Sequence, residues 1–253
     1  MPQPVGRKLP LSLPRRFISD LVHAAHQIPT VPVQRRMNLA AVVAARQAAQ
    51  PHPSWPAIFA KAYAFVASAR PELRRAYLGF PRPHLYEHPI SVASIAVERR
   101  LGDEDAVFFA NVKDPQSWSL QELDAKLRQH KEQPIEKLSS CRRALLISRF
   151  PWPIRRLIWW IGMNGSGRKR AHYLGTFGIS VYAGLGAASL HPLSPLTTAL
   201  NYGVIADDGS VDVRLVYDHR VLDGATVARA LGDLERVLTG EILTELRYLR
   251  AAA

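Results

Sequence analysis

Only one cysteine, Cys141, occurs in the 253 residues, so the chain can form no internal disulfide. A lone thiol of this kind is read as a small apolar residue rather than as a nucleophile. No apolar run reaches the roughly 20 residues that a membrane-spanning helix needs, and the mean hydropathy of -0.07 excludes a polytopic membrane protein. Arg7 and Lys8 have no continuous apolar stretch behind them, so the start does not read as a secretory signal, and a cytoplasmic protein is expected. Acidic residues are scarce: 21 Asp and Glu stand against 33 Lys and Arg, a net charge of +12. Such a surface favours anionic partners, whether nucleic acid, acidic lipid or a phosphate-rich small ligand. The pairs Arg74-Arg75, Arg99-Arg100 and Arg142-Arg143 are scattered rather than striped, and no nucleic-acid module is recognisable, so no nucleic-acid partner is expected.

What is present is an ordinary globular composition, 47% apolar, in a length that one mixed α/β domain can fill. Residues 1–8 read as a Pro-rich tail and 9–253 as a single domain. Phe17, Leu21, Ala24 and Ala25 recur at helical spacing and predict a helix over 15–26. Val31 and Val33 alternate with polar neighbours in an extended stretch over 29–38, and helical patterns follow over 39–49 and 55–69. Strands are expected over 90–101 and 106–112. A helix over 119–130 has Ser119 as N-cap and Glu122 at capping-box spacing. A strand is read over 176–182. Two more, over 199–206 and 211–218, flank Asp207-Asp208-Gly209-Ser210 as a hairpin, and a helix runs over 224–238.

Val211, Val213, Leu215 and Tyr217 lie on one face of the last strand, and His219 is the next residue on that face. His219 is therefore expected at a strand end, pointing toward buried surface. Asp223 stands at an N-cap position, and Gly224 is expected to allow a sharp strand-to-helix turn. Val227, Ala230, Leu231, Leu234 and Val237 then mark an apolar helical stripe. On these residues alone, a core histidine before a capped helix and a catalytic histidine both remain open.

The stretch Tyr217-Asp218-His219-Arg220-Val221-Leu222-Asp223-Gly224 resembles the His-x-x-x-Asp-Gly signature of the dihydrolipoyl acyltransferases of 2-oxoacid dehydrogenases and of the chloramphenicol acetyltransferases. Gly175-Thr176-Phe177-Gly178-Ile179-Ser180 is similar to a serine-bearing strand of the dihydrolipoyl enzymes. Leu11-Ser12-Leu13-Pro14-Arg15-Arg16, with His26 to Thr30, resembles the start of their catalytic domain. The likeness covers about residues 9 to 240, and residues 134–172, a basic and Trp-rich stretch, fit it worst.

The resemblance implies an α/β CoA-dependent acyltransferase fold, chloramphenicol-acetyltransferase-like, with a mixed central sheet flanked by helices. It implies an enzyme that moves an acyl group from acyl-CoA to a thiol or hydroxyl of a small-molecule or lipid acceptor. His219 would be the general base and Ser180 the oxyanion donor. Asp223 would be structural, held by Arg15 or Arg16. It further implies a homotrimer or higher oligomer, with His219 and Ser180 meeting from neighbouring subunits. CoA is the expected co-substrate; no lipoyl group and no metal are expected. With only a short tail before Leu9 there is no lipoyl arm, and a free-standing acyltransferase is the expectation. The alternative is a catalytically silent relative serving as a structural or interaction subunit.

In the poorly fitting stretch, Ile154, Leu157, Ile158 and Ile161 form one helical stripe while Arg155, Arg156, Trp159 and Trp160 share the opposite side. With Trp152, those basic and indole groups suit peripheral contact with the inner face of a membrane, a subunit contact or an acyl-pocket wall equally. Residues 165–170, Gly-Ser-Gly-Arg-Lys-Arg, suit a phosphate cradle or a solvated basic turn. His84-Leu85-Tyr86-Glu87-His88 fits a zinc-peptidase pattern that requires a helix, which the surrounding Pro81, Pro83 and Pro89 oppose. His23 and His26 share a helical face without a nearby third ligand, so neither histidine pair is read as a metal site.

Overall fold

The computed structural model describes residues 6–251. The Ser12 hydroxyl accepts the Arg15 N–H at 3.3 Å and opens α1 (Leu13–Ala25), whose first turn tolerates Pro14 because an N–H there has no helical partner to lose. β1 (Thr30–Asn38) follows, then α2 (Ala40–Ala48) and α3 (Trp55–Ala69). β2 (Arg75–Leu78) and β3 (His84–Glu87) form a separate ribbon, and β4 (Val92–Leu101) pairs with β5 (Glu104–Lys113). The reciprocal capping box of Ser119 and Glu122 is present at the start of α4 (Leu120–Glu132). Next come α5 (Ser139–Arg149), α6 (Trp152–Asn164), α7 (Gly167–Leu174) and the short β6 (Phe177–Ile179). β7 (Thr198–Tyr202), β8 (Ser210–Asp218) and α8 (Gly224–Val237) lead through a π-helical turn, Leu238–Ile242, into α9 (Leu243–Ala251).

Six strands make one mixed sheet in the order β1-β8-β7-β6-β4-β5, parallel at β4/β6 and β6/β7 and antiparallel elsewhere. The main core lies between one face of this sheet and the helices. α3 is apolar all round and correspondingly buried, with Tyr63 donating to Thr198 Oγ1 of β7 at 2.9 Å and Phe59 stacked on Tyr202 at 4.1 Å. Burial pushes the Tyr63 hydroxyl well above the usual tyrosine range. The one cation inside this helix face, Lys61, is satisfied by Glu245 of α9 and the Trp118 carbonyl, each at 2.6 Å.

The hairpin read from the Asp-Asp-Gly-Ser sequence is present. Gly209 takes φ +79, and an added Cβ would lie 2.4 Å from Ala40 Cα at the start of α2. Gly209→Ala is therefore expected to destabilise the fold by more than about 1 kcal/mol, through both the left-handed backbone and the clash. Thermal unfolding monitored by circular dichroism measures it. β6 and β7 are shorter than the expected 176–182 and 199–206, because the chain leaves the sheet after Ile179 and opens toward the hairpin turn after Tyr202.

The stretch 134–172 departs most from expectation. α5, α7 and the β2/β3 ribbon were not foreseen in the sequence. α6 turns Arg155, Trp159 and Met163 inward, one turn apart, against Leu21, Ala24 and Ile28 around α1. Arg155 Nε meets Asp20 Oδ2 at 2.7 Å with both groups buried. The expected membrane-contact set of Trp152, Arg155, Arg156, Trp159 and Trp160 is thus corrected: Arg155 and Trp159 are interior, and Arg156 leans toward Asp20 at 3.8 Å. A buried Asp20 carboxylate demands a cation, and Arg155 supplies it. Residues 165–170 lead into a helix rather than a turn, with Arg168 and Lys169 exposed. Ser166 caps α7, and Arg170 is buried, donating to the carbonyls of Tyr77, Met163 and Pro195. Burial pushes that guanidinium down to about 10.

Candidate active site

β8 is buried on both faces. Val211, Val213, Leu215 and Tyr217 enter the main core as the alternation requires, while Asp218 on the opposite face is fully buried. The strand stops at Asp218 because that residue folds the next turn around itself. Its carbonyl accepts the N–H groups of Val221 and Leu222, and its carboxylate accepts the Arg220 N–H at 3.0 Å. Arg220 also forks onto it, Nε to Oδ1 at 2.9 Å and Nη2 to Oδ2 at 2.7 Å. The guanidinium lies over the Tyr77 ring at 4.3 Å. This bidentate, stacked arginine is a rigid clamp.

His219 stands between the two clamped residues with its N–H donating to the Pro29 carbonyl at 3.0 Å. Its side chain is 51% exposed, not turned into the core as expected, because the strand pleat ends one residue earlier. The imidazole sits 5.5 Å from the Tyr217 ring, and Nδ1 is 3.9 Å from Asp223 Oδ1, too far for a hydrogen bond.

Asp223 occupies the N-cap position of α8 as expected, but its side chain makes no capping hydrogen bond and is 85% exposed. Neither expected arginine holds it. Arg15 pairs with Glu104 at 2.9 Å, and Arg16 donates to the Leu11 carbonyl, because α1 carries both toward the Leu11 and Glu104 side. Gly224 has no left-handed backbone; what it supplies is room, since a Cβ there would come within 3.4 Å of the Tyr217 hydroxyl.

Ser180 follows β6 directly. Its N–H donates to the Leu200 carbonyl at 3.2 Å, and its own carbonyl accepts from Asn201, a fully buried residue. The register places Ser180 level with Asn201, and Asn201 opposite Arg214 of β8. His219 lies five residues beyond Arg214, about 16 Å farther along the sheet at about 3.3 Å per residue, with β7 also intervening. One chain therefore does not bring Ser180 and His219 together. Neither a hollow of about 570 Å³ beside α8 nor a small one of about 10 Å³ near Arg170 is lined by either residue. Among the described residues, no group of three His, Cys, Asp or Glu could hold a metal, and His84 to Glu87 is strand rather than helix.

No family model matches the sequence, and no curated protein does. Solved structures do match. A dihydrolipoamide acetyltransferase of Azotobacter vinelandii, described for the roles of a serine, a histidine and an asparagine in its catalytic mechanism, has a TM-score of 0.66 at 17% identity, over 96% of this chain and 95% of that one. The chain has the fold of a dihydrolipoamide acetyltransferase catalytic core. A probable dihydrolipoamide acetyltransferase of Listeria monocytogenes gives a TM-score of 0.65 at 18% identity, over 92% and 94% of the two chains. A truncated catalytic core of the 2-oxoacid dehydrogenase multienzyme complex of Thermoplasma acidophilum gives 0.64 at 19%, over 93% and 99%. These matches cover 92–96% of the chain. The clamp of Asp218, Arg220 and Tyr77 was missed as a unit. Asp218 and Arg220 flank His219 in the sequence motif, but nothing marked Tyr77 as the third member.

Proposed function

We propose that this protein is a CoA-dependent acyltransferase whose active sites form between subunits. The observation that carries the reading is His219, presented half-exposed on a clamped turn at one end of the acetyltransferase-core sheet, with Asp223 four residues on. The Azotobacter enzyme's catalytic histidine and asparagine have the same spacing. His219 takes the proton from an acceptor thiol or hydroxyl, and the freed nucleophile attacks the thioester carbonyl. Ser180 of a neighbouring copy donates to the oxyanion. Collapse of the tetrahedral intermediate expels the CoA thiolate, which recovers the proton from the imidazolium. The net charge of +12 suits a substrate rich in phosphates.

An intersubunit site is supported by the separation of Ser180 from His219 within one sheet. It also agrees with the Thermoplasma acidophilum structure being the catalytic core of a multienzyme complex. Ser180→Ala is expected to lower kcat by about 10²–10³-fold with KM little changed, the effect of losing one oxyanion donor. Release of free CoA thiol from acyl-CoA in the presence of thiol and hydroxyl acceptors reads it. Co-refolding Ser180→Ala with His219→Ala chains tests the shared site: in random mixtures about one interface in four pairs an intact histidine with an intact serine. Activity should return to about a quarter of the parent level. No recovery from mixed assemblies overturns the shared site, and no thiol release with any acyl-CoA overturns the acyltransferase reading.

A further inference from the structure

With Arg155, Trp159 and Met163 inward, α6 turns its aliphatic stripe to solvent. Ile154, Leu157 and Ile161 are all exposed, Trp152 and Trp160 stand beside them, and Phe80 abuts Trp160 at 5.7 Å between ring centres. On α5, Arg142, Leu146 and Arg149 follow at helical spacing on its exposed side. A contiguous apolar face of this kind is more than scattered surface leucines require.

The charge around it selects the occupant. Between Glu136 and Asp207 the sequence contains nine Lys and Arg and no Asp or Glu. Arg155, Arg156 and Arg170 are taken up by Asp20 and by backbone carbonyls. The other six, Arg149, Arg168 and Lys169 among them, are exposed, and none makes an ion pair among the described residues. A second copy seated face to face here would set cations against cations, with no carboxylate in 137–206 to answer them. A nucleic acid would leave the aliphatic stripe in water. An anionic lipid surface satisfies both halves, taking aliphatic side chains into the acyl boundary, indoles at headgroup depth and basic groups onto phosphate.

We propose that the outward face of α6 docks on an anionic lipid bilayer, with Ile154, Leu157 and Ile161 inserted and Arg149, Arg168 and Lys169 on the headgroups. No helix among the described residues is long and apolar enough to cross the membrane, so the contact is lateral. It stands independently of the acyltransfer reading.

The test is co-sedimentation of the full chain with phosphatidylcholine vesicles containing about one-third phosphatidylglycerol, against phosphatidylcholine alone. Binding should require the anionic lipid, weaken with salt and shift tryptophan emission to the blue. Leu157→Ser with Ile161→Ser should reduce the bound fraction by at least about tenfold while the near-UV circular dichroism stays that of the parent, since both side chains are exposed. Equal binding to neutral vesicles, or binding untouched by the double variant, overturns the proposal. So does absence of vesicle binding, including the case in which sedimentation velocity shows the double variant to have lost an assembly that the parent forms.

Discussion

His219→Ala is expected to slow acyl transfer by about 10²–10⁴-fold, the range that loss of a positioned general base produces. The fall should appear in kcat, since the side chain projects from a turn held by other groups and its removal unpairs nothing buried. Asp218, Arg220 and the Pro29 carbonyl hold the backbone there without the imidazole. The thermal midpoint should therefore match the parent's, which separates lost chemistry from lost structure. A variant with transfer undiminished would remove His219 from the mechanism. Binding of acyl-CoA, measured by calorimetry on the inactive variant, should persist.

Asp20→Ala is expected to be the most damaging single change to stability. The Asp20 carboxylate is 1% exposed and the Arg155 side chain 8%, so truncation strands a guanidinium inside the α1/α6 contact. Arg155 would keep only the Phe150 carbonyl at 3.2 Å. Breaking a buried pair from one side costs about 3–5 kcal/mol. At about 2–4 °C per kcal/mol for a chain of this size, the thermal midpoint should fall by roughly 6–20 °C. Adding Arg155→Met, which removes the stranded charge and keeps the volume, should recover most of the loss. A double variant no better than Asp20→Ala would show that packing, and not the unpaired charge, decides this contact. Activity per folded molecule should be unchanged, since neither Asp20 nor Arg155 bonds to any residue of the β8 turn.

The two variants probe features of unequal legibility. The strand before His219 and the helix after it could be read directly, because alternation in Val211 to Tyr217 and the 3.6-residue stripe from Val227 are local properties of backbone geometry. The capping box at Ser119 and the 55–69 helix were legible for the same reason. The inward face of α6 was not. The pattern distinguished an aliphatic side from a basic, indole-bearing side without choosing which is buried. Asp20, far away in sequence, made the choice by requiring Arg155 as its partner.

By itself, then, the sequence determined the order of elements around the motif and the hairpin at Gly209, both set by short-range periodicity, capping and turn chemistry, while the resemblance of the motif residues pointed to His219 and Ser180. Tertiary structure alone decided that His219 stands out on a clamp completed by Tyr77, that Arg15 and Arg16 serve Glu104 and Leu11 rather than Asp223, and that α6 shows its aliphatic side to solvent. It also decided that Ser180 is level with Arg214, about 16 Å along the sheet from His219 and with β7 between them. Strand register and ion pairing join residues tens to hundreds of positions apart, and no local pattern encodes which distant partner a buried charge or a strand edge will find.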